Sequence, residues 1–165
     1  PQLPQATLGE RYTRMAQIAN PSLFGRLFMY KKTTPLILDH PLLGTGPGTF
    51  IYAFTQYRPT QRIGFWNYAH NDYLQIASEM GLLGLTFFLI FVIISLVNSI
   101  RMHRRINAYT HQRIITLGCW AGVLAALLHS TLDGNLSVVP ANALYFYILL
   151  GILTTSISIK PQTNN

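Results

Sequence analysis

His70 is the side chain best placed to move a proton. It opens a stretch of helical pattern, AHNDYLQIASEMGLLGL, that runs into a long apolar segment, and aromatic and basic residues precede it. A neutral imidazole accepts a proton from a hydroxyl, which suits a general base. An interfacial histidine that only caps a helix or hydrogen-bonds locally fits the same spacing. Arg26, Arg58 and Arg62 are the candidates for holding phosphate. A guanidinium grips phosphate through paired N–H donors, and so could hold a lipid-borne pyrophosphate. Simple attraction to anionic headgroups is the plainer alternative. Asp72 and Glu79 are seven residues apart and share a helix face. At 1.5 Å per residue they lie about 10 Å apart along the axis, too far for one metal ion. They read as helix-surface carboxylates, with Glu79 available to an arginine. GTGPGTF, ending at Phe50, has no following Lys-Ser/Thr and fits no dinucleotide fingerprint, so it reads as a structural turn. The sequence has no Cys/His zinc spacing and no Gly-x-Ser-x-Gly.

The elements that must position these residues follow from the apolar runs. Only 10% of the residues are charged, against about 25% in an ordinary globular domain. Half are hydrophobic. Residues 82–100 are almost wholly apolar and uncharged, near the roughly 20 residues needed to cross a hydrocarbon core. Residues 114–132 and 140–159 form the second and third such runs, the second diluted by Trp120, His129 and Ser130. The fold class expected is an all-α integral membrane protein. It has an extracytoplasmic loop region with short helices over residues 1–80, three transmembrane helices within 81–159, and a tail at 160–165.

Orientation comes from the links. RMHRRINAYTHQR, between the first two runs, carries Arg101, Arg104, Arg105 and Arg113 and no acid, and short basic loops stay in the cytoplasm. DGNLSVV, between the second and third, carries only Asp133 and belongs outside with residues 1–80, while Lys160 marks a cytoplasmic end. In a bacterial inner membrane, outside is the periplasm. The formal net charge of +7 is scattered apart from that one cluster, which argues against nucleic acid as a partner. Within the external region, residues 22–39 place Leu23, Phe24, Leu27, Phe28 and Tyr30 near helical spacing, with Arg26, Lys31 and Lys32 among them. A helix lying on the membrane and a helix packed in a small external domain would both look so. Pro35 reads as a kink or boundary. The aromatic and basic stretch from Tyr52 to Tyr68 suits the headgroup layer. A continuous helix from about Ala69 to Ile100 would measure about 48 Å and lift His70 into or above the outer headgroups. Cys119, alone in an apolar run, reads as a small buried hydrophobe.

HPLLGTGPGTF, then YR, then AHNDYLQIASEMGLLGL entering a span, resembles the O-antigen ligase and polymerase family of bacterial membrane proteins. The family pattern sets an arginine before Asp-His-Pro-Leu-Leu-Gly-x-Gly-Pro-Gly-x-Phe, then His-Asn-x-x-Leu and Glu-x-Gly-x-x-Gly. This chain has Arg26, residues 39–50, then His70, Asn71 and Leu74, then Glu79, Gly81 and Gly84. The stretch HSTLDGNLSVVPANALYFYILLGIL looks like the family's last loop and final span. The resemblance implies transfer of a glycan from undecaprenyl pyrophosphate to an acceptor hydroxyl on the periplasmic face of the inner membrane. The acceptor would be lipid A–core, another lipid-linked repeat, or a protein hydroxyl, with no metal, cofactor or nucleotide sugar required. It implies His70 and Arg26 as the catalytic pair, Arg58 and Arg62 as further pyrophosphate contacts, and Asn71 and Glu79 in support. Family members carry many more spans, so the resemblance implies that upstream helices complete a larger bundle and that this chain alone is inactive. A non-enzymatic membrane subunit or an inactive gene remnant is the rival expectation.

Overall fold

Proline at a helix's first position carries a φ already set for the helix and lacks only an N–H that would go unpaired there. Among the described residues, two of the five α-helices start this way. In the computed structural model, which describes residues 21–57, 67–103, 111–134 and 136–155, helix α1 covers Pro21–Asp39 and opens on Pro21. Its buried residues Met29, Thr33, Leu36 and Ile37 recur at helical spacing, so one face packs inward. That stripe differs from the expected one, since Leu27 lies on the exposed side. Pro35 does not end the helix. It lies on the exposed face with Lys31, whose carbonyl loses the bond proline cannot donate, so the missing bond is left to solvent. A turn-rich segment then leads to the short helix α2, Phe50–Ala53, and a 3₁₀ turn, Phe54–Tyr57. Phe50 and Phe54 are buried and stacked, with ring centroids 4.9 Å apart. The Tyr57 hydroxyl donates to the Asp39 carboxylate.

Helix α3 covers Asp72–His103. It does not run unbroken from Ala69. Asn71 caps it, its side-chain oxygen accepting the Leu74 N–H at 3.1 Å. It then breaks at Gly81, whose backbone is non-helical at φ 70°, ψ −178°. The break strands the N–H groups of Leu82 and Leu83 and the carbonyls of Ser78 and Glu79. All four find partners in the turn before α2. Leu82 donates to Pro41 and Leu83 to Leu42, at 2.7 and 3.3 Å, while Thr45 and Gly46 donate to the carbonyls of Ser78 and Glu79, at 3.0 and 2.8 Å. The expected single rod is therefore two helices, 72–80 and 82–103, joined through a plug of backbone from the Gly-rich turn.

Helices α4, His111–His129, and α5, Pro140–Thr155, complete the described residues, which are all helical or turn with no strand. α4 stops short of Leu132 because Leu132 and Asp133 both fold their N–H groups back onto the His129 carbonyl. Among the described residues one helix, Asp72–Arg101, is long and apolar enough to cross a membrane. The other apolar helices, Arg113–His129 and Pro140–Thr154, are shorter than that length. Val92, Cys119, Val123, Phe146, Leu150 and Leu153 form a core joining α3, α4 and α5, and the Trp120 indole donates to Ser99 across α3 and α4 at 3.0 Å. A second core of Met29, Leu36, Phe50, Phe54 and Ala69 holds α1 against the plug and the start of α3.

The two glycines at the break have positive φ and no room for a side chain. A Cβ on Gly44 would collide with the backbone of Glu79, and one on Gly81 with the Leu42 carbonyl. Gly44→Ala or Gly81→Ala is expected to cost more than about 3 kcal/mol through strain and clash together. Gly118, with open space around it, should gain about 0.5–1 kcal/mol as alanine from its helix interior. Thermal midpoints in detergent separate the two outcomes.

Candidate functional site

Asp133 is the centre of the site. It lies in the link between α4 and α5, and each of its carboxylate oxygens meets one candidate from the first half of the chain. Its Oδ1 is 3.1 Å from His70 Nδ1, and its Oδ2 is 3.5 Å from Arg26 Nη2. Oδ1 also accepts the Gly134 N–H at 2.9 Å. Burial pushes the Asp133 carboxyl up, but the Gly134 N–H, His70 and Arg26 outweigh it and leave its pKa below the ordinary carboxylate value. An ionised carboxylate only accepts, so the imidazole hydrogen facing it is on Nδ1, and in the neutral ring the lone pair is then on Nε2. This is the tautomer a general base needs.

Three backbone contacts hold His70 where it is. Its φ of 54° is in the left-handed region, which costs a residue with a side chain about 1–3 kcal/mol and persists only when neighbours impose it. The Tyr30 hydroxyl, reaching from α1, lies 2.9 Å from the His70 carbonyl and 2.8 Å from that of Thr131, and shares its one hydrogen between them. The Asn71 amide donates to the Thr131 carbonyl at 3.0 Å. The Asp72 N–H donates to the Ser130 carbonyl at 2.9 Å. The Tyr68 ring sits against the imidazole, with centroids 4.2 Å apart.

Asp72 is not the surface carboxylate expected of it. It is fully buried, and it accepts the N–H groups of Leu136 and Ser137, at 2.8 and 2.7 Å, and the Ser137 hydroxyl. It thus ties the link that carries Asp133 to the start of α3. Glu79 serves the plug instead of an arginine. Its carboxylate accepts the Gly48 and Phe50 N–H groups, at 3.0 and 3.1 Å, and the Gln75 amide at 2.8 Å. Arg58 and Arg62 lie outside the described residues. Beside Tyr68 opens a cleft of about 340 Å³, lined by Phe50, Asn67, Tyr68, Gln75, Glu79 and Ser137. Sequence reasoning missed Asp133, Tyr30 and Asp72 as members of the site. The one available signal was Asp133 itself, the single acid in a short link between two apolar runs.

Removing the Asp72 carboxylate would leave the Leu136 and Ser137 N–H groups and the Ser137 hydroxyl without their acceptor, so Asp72→Ala is expected to destabilise by about 1–3 kcal/mol in thermal unfolding. The lowered pKa of Asp133 also fixes a direction with pH. A carboxylate whose pKa is depressed by folding contributes stability above its unfolded value, and that stability is lost as pH falls through the folded one. The stability difference between the native chain and Asp133→Asn should be steady around neutrality and vanish as acidification passes below the ordinary carboxylate range; a difference unchanged by acid would contradict it.

A family model described as O-antigen ligase matches residues 5–89, just over half of the chain. That segment contains Arg26, His70, the Gly-rich turn and Glu79; Asp133 lies beyond it. No curated protein and no solved structure matches the chain.

Proposed function

The chain belongs to the O-antigen ligase family, whose members are membrane-associated and carry out glycosyl transfer of the ligase or polymerase type, and we propose that its own residues perform the transfer step at the Arg26–Asp133–His70 site. The donor is a glycan on undecaprenyl pyrophosphate, and the acceptor is a sugar or protein hydroxyl. His70 Nε2 takes the proton of that hydroxyl as its oxygen bonds to the anomeric carbon. The bond from that carbon to the pyrophosphate breaks at the same time, and undecaprenyl pyrophosphate leaves. Arg26 faces the charge that gathers on the leaving group. A guanidinium has five N–H donors, so contact with Asp133 through Nη2 still permits it to bind phosphate oxygen. Asp133 fixes the His70 tautomer and stabilises the imidazolium after proton transfer. Arg58 and Arg62 add positive charge for the pyrophosphate. Asn71 supports His70 by holding the Thr131 turn, and Glu79 supports it through the plug. The cleft beside Tyr68 offers amides, a hydroxyl and aromatic faces to the acceptor sugar.

In this reading residues 1–80 and the Asp133 link face the periplasm, all three apolar helices cross the inner membrane beside further helices, and residues 160–165 face the cytoplasm. The observation that carries the proposal is the convergence of Arg26 and His70, 44 positions apart, on the two oxygens of one carboxylate.

His70→Ala in the full-length protein should lower the turnover of a purified lipid-linked glycan by about 10²–10⁴-fold, the usual contribution of a general base. Arg26→Ala should weaken both donor binding and turnover, and Arg26→Lys should restore only part of the loss because lysine cannot bind phosphate in two-point fashion. Full activity in His70→Ala would refute the assignment. Glycan analysis in a deletion strain distinguishes the acceptors, by loss of attachment, of chain length or of a glycoprotein.

A further inference from the structure

We propose that the Pro41–Leu42–Leu43 turn is a membrane wedge, inserted at the headgroup–acyl boundary beside the first turn of the spanning helix. This rests on the reading that Asp72–Arg101 crosses the bilayer, and it adds a second contact with lipid from a different part of the chain.

The depth of the turn is set by backbone bonds. After the Gly81 break, the apolar segment from Leu82 to Ile100 measures about 28 Å at 1.5 Å per residue, close to the roughly 30 Å of the hydrocarbon core, and Arg101 follows immediately. A segment that matches the core so closely has little freedom to slide, so Leu82 and Leu83 lie at its outer edge. The Pro41 and Leu42 carbonyls accept the N–H groups of those two residues. The turn is therefore at the same depth, fixed by the plug and not by a flexible loop.

The turn's surface is that of a group meant for lipid. Leu42 is 63% exposed and Leu43 76%, two adjacent large apolar side chains at a loop tip, where water would favour polar residues. They continue the exposed apolar surface of Leu82 and Leu83 on α3. Leu38, 69% exposed, lies on the α1 side. Exposed Asp39 and His40 separate it from the tip and supply the polar side that the headgroup layer requires. Neither leucine belongs to either core, so the fold itself does not account for them. A turn of this kind also excludes water from the break. There the Leu82 and Leu83 amides enter a medium that offers no hydrogen-bond partner of its own.

The test is depth-dependent quenching of a fluorophore attached to single cysteines in a Cys119→Ala background. The protein is reconstituted in vesicles of phosphatidylethanolamine and phosphatidylglycerol. Labels go on Leu43→Cys, on Leu83→Cys and Phe87→Cys in the span, and on Lys31→Cys as an exposed external control. The expected result is that lipid nitroxides near the glycerol quench positions 43 and 83 alike, that nitroxides farther down the chain quench position 87 more, and that aqueous iodide quenches only position 31. Quenching of position 43 by iodide, with position 87 still quenched by lipid, overturns the wedge and leaves the span intact. Protection of position 43 from both quenchers overturns it in favour of a covering protein segment. Lipid that fails to quench position 87 overturns the spanning reading and the wedge together.

Discussion

The structure depends on how a long helix can be broken at the point where its apolar segment begins. Each residue pair that a break in an α-helix severs frees one donor and one acceptor, and hydrocarbon offers nothing to replace them. Here the Gly-rich turn supplies all four missing partners by apposing its own backbone to the break. The approach is close enough that Gly44 and Gly81 must both lack a Cβ. Two sequence elements about 35 residues apart, the Gly-x-Gly-Pro-Gly turn at 44–48 and the Glu-x-Gly at 79–81, are thus halves of one joint. Glu79 binds the joint further by accepting two N–H groups on the far side of the turn.

The active geometry proposed above is mounted on that joint. The nine residues of α3 before the break form a short helix, 72–80, at whose start lie His70, Asn71 and Asp72. Because the break redirects this piece, its first residues can reach the link between α4 and α5, and Asp72 fastens the link in place. Asp133 then falls between His70 and Arg26. Positive charge, proton acceptor and carboxylate come from three separate elements, and hydrogen bonds from Tyr30, Asn71 and Asp72 tie the His70 segment to the link that carries Asp133, which is how a site keeps its geometry on a thin support.

Much of this was legible in the sequence, and for physical reasons. Apolar runs mark helices whatever their partners, so the elements around 82–100, 114–132 and 140–159 could be read directly, though α4 ends at His129 where the chain folds back on a carbonyl. Arg26 and His70 stood out as candidates because their chemistry is scarce in so apolar a chain. What could not be read was pairing at long range. The break at Gly81 has helix-forming sequence on both sides, and only contact with residues 41–46 makes it stable. Asp72 and Asp133 illustrate the same limit. One looked like a surface acid and is buried; the other looked like a loop residue and is the common partner of the two candidates.

The contact between Asp133 and His70 spans 63 positions of the chain. No shorter piece of the polypeptide can make it. Arg26 and His70 are synthesised before Asp133, and they meet their shared carboxylate only once α4 has been made and the link beyond it has returned to the side where α3 begins. Assembly of the site is therefore a late, non-local event in folding. The nascent protein lacks this constellation until the hairpin of α4 and α5 has been delivered.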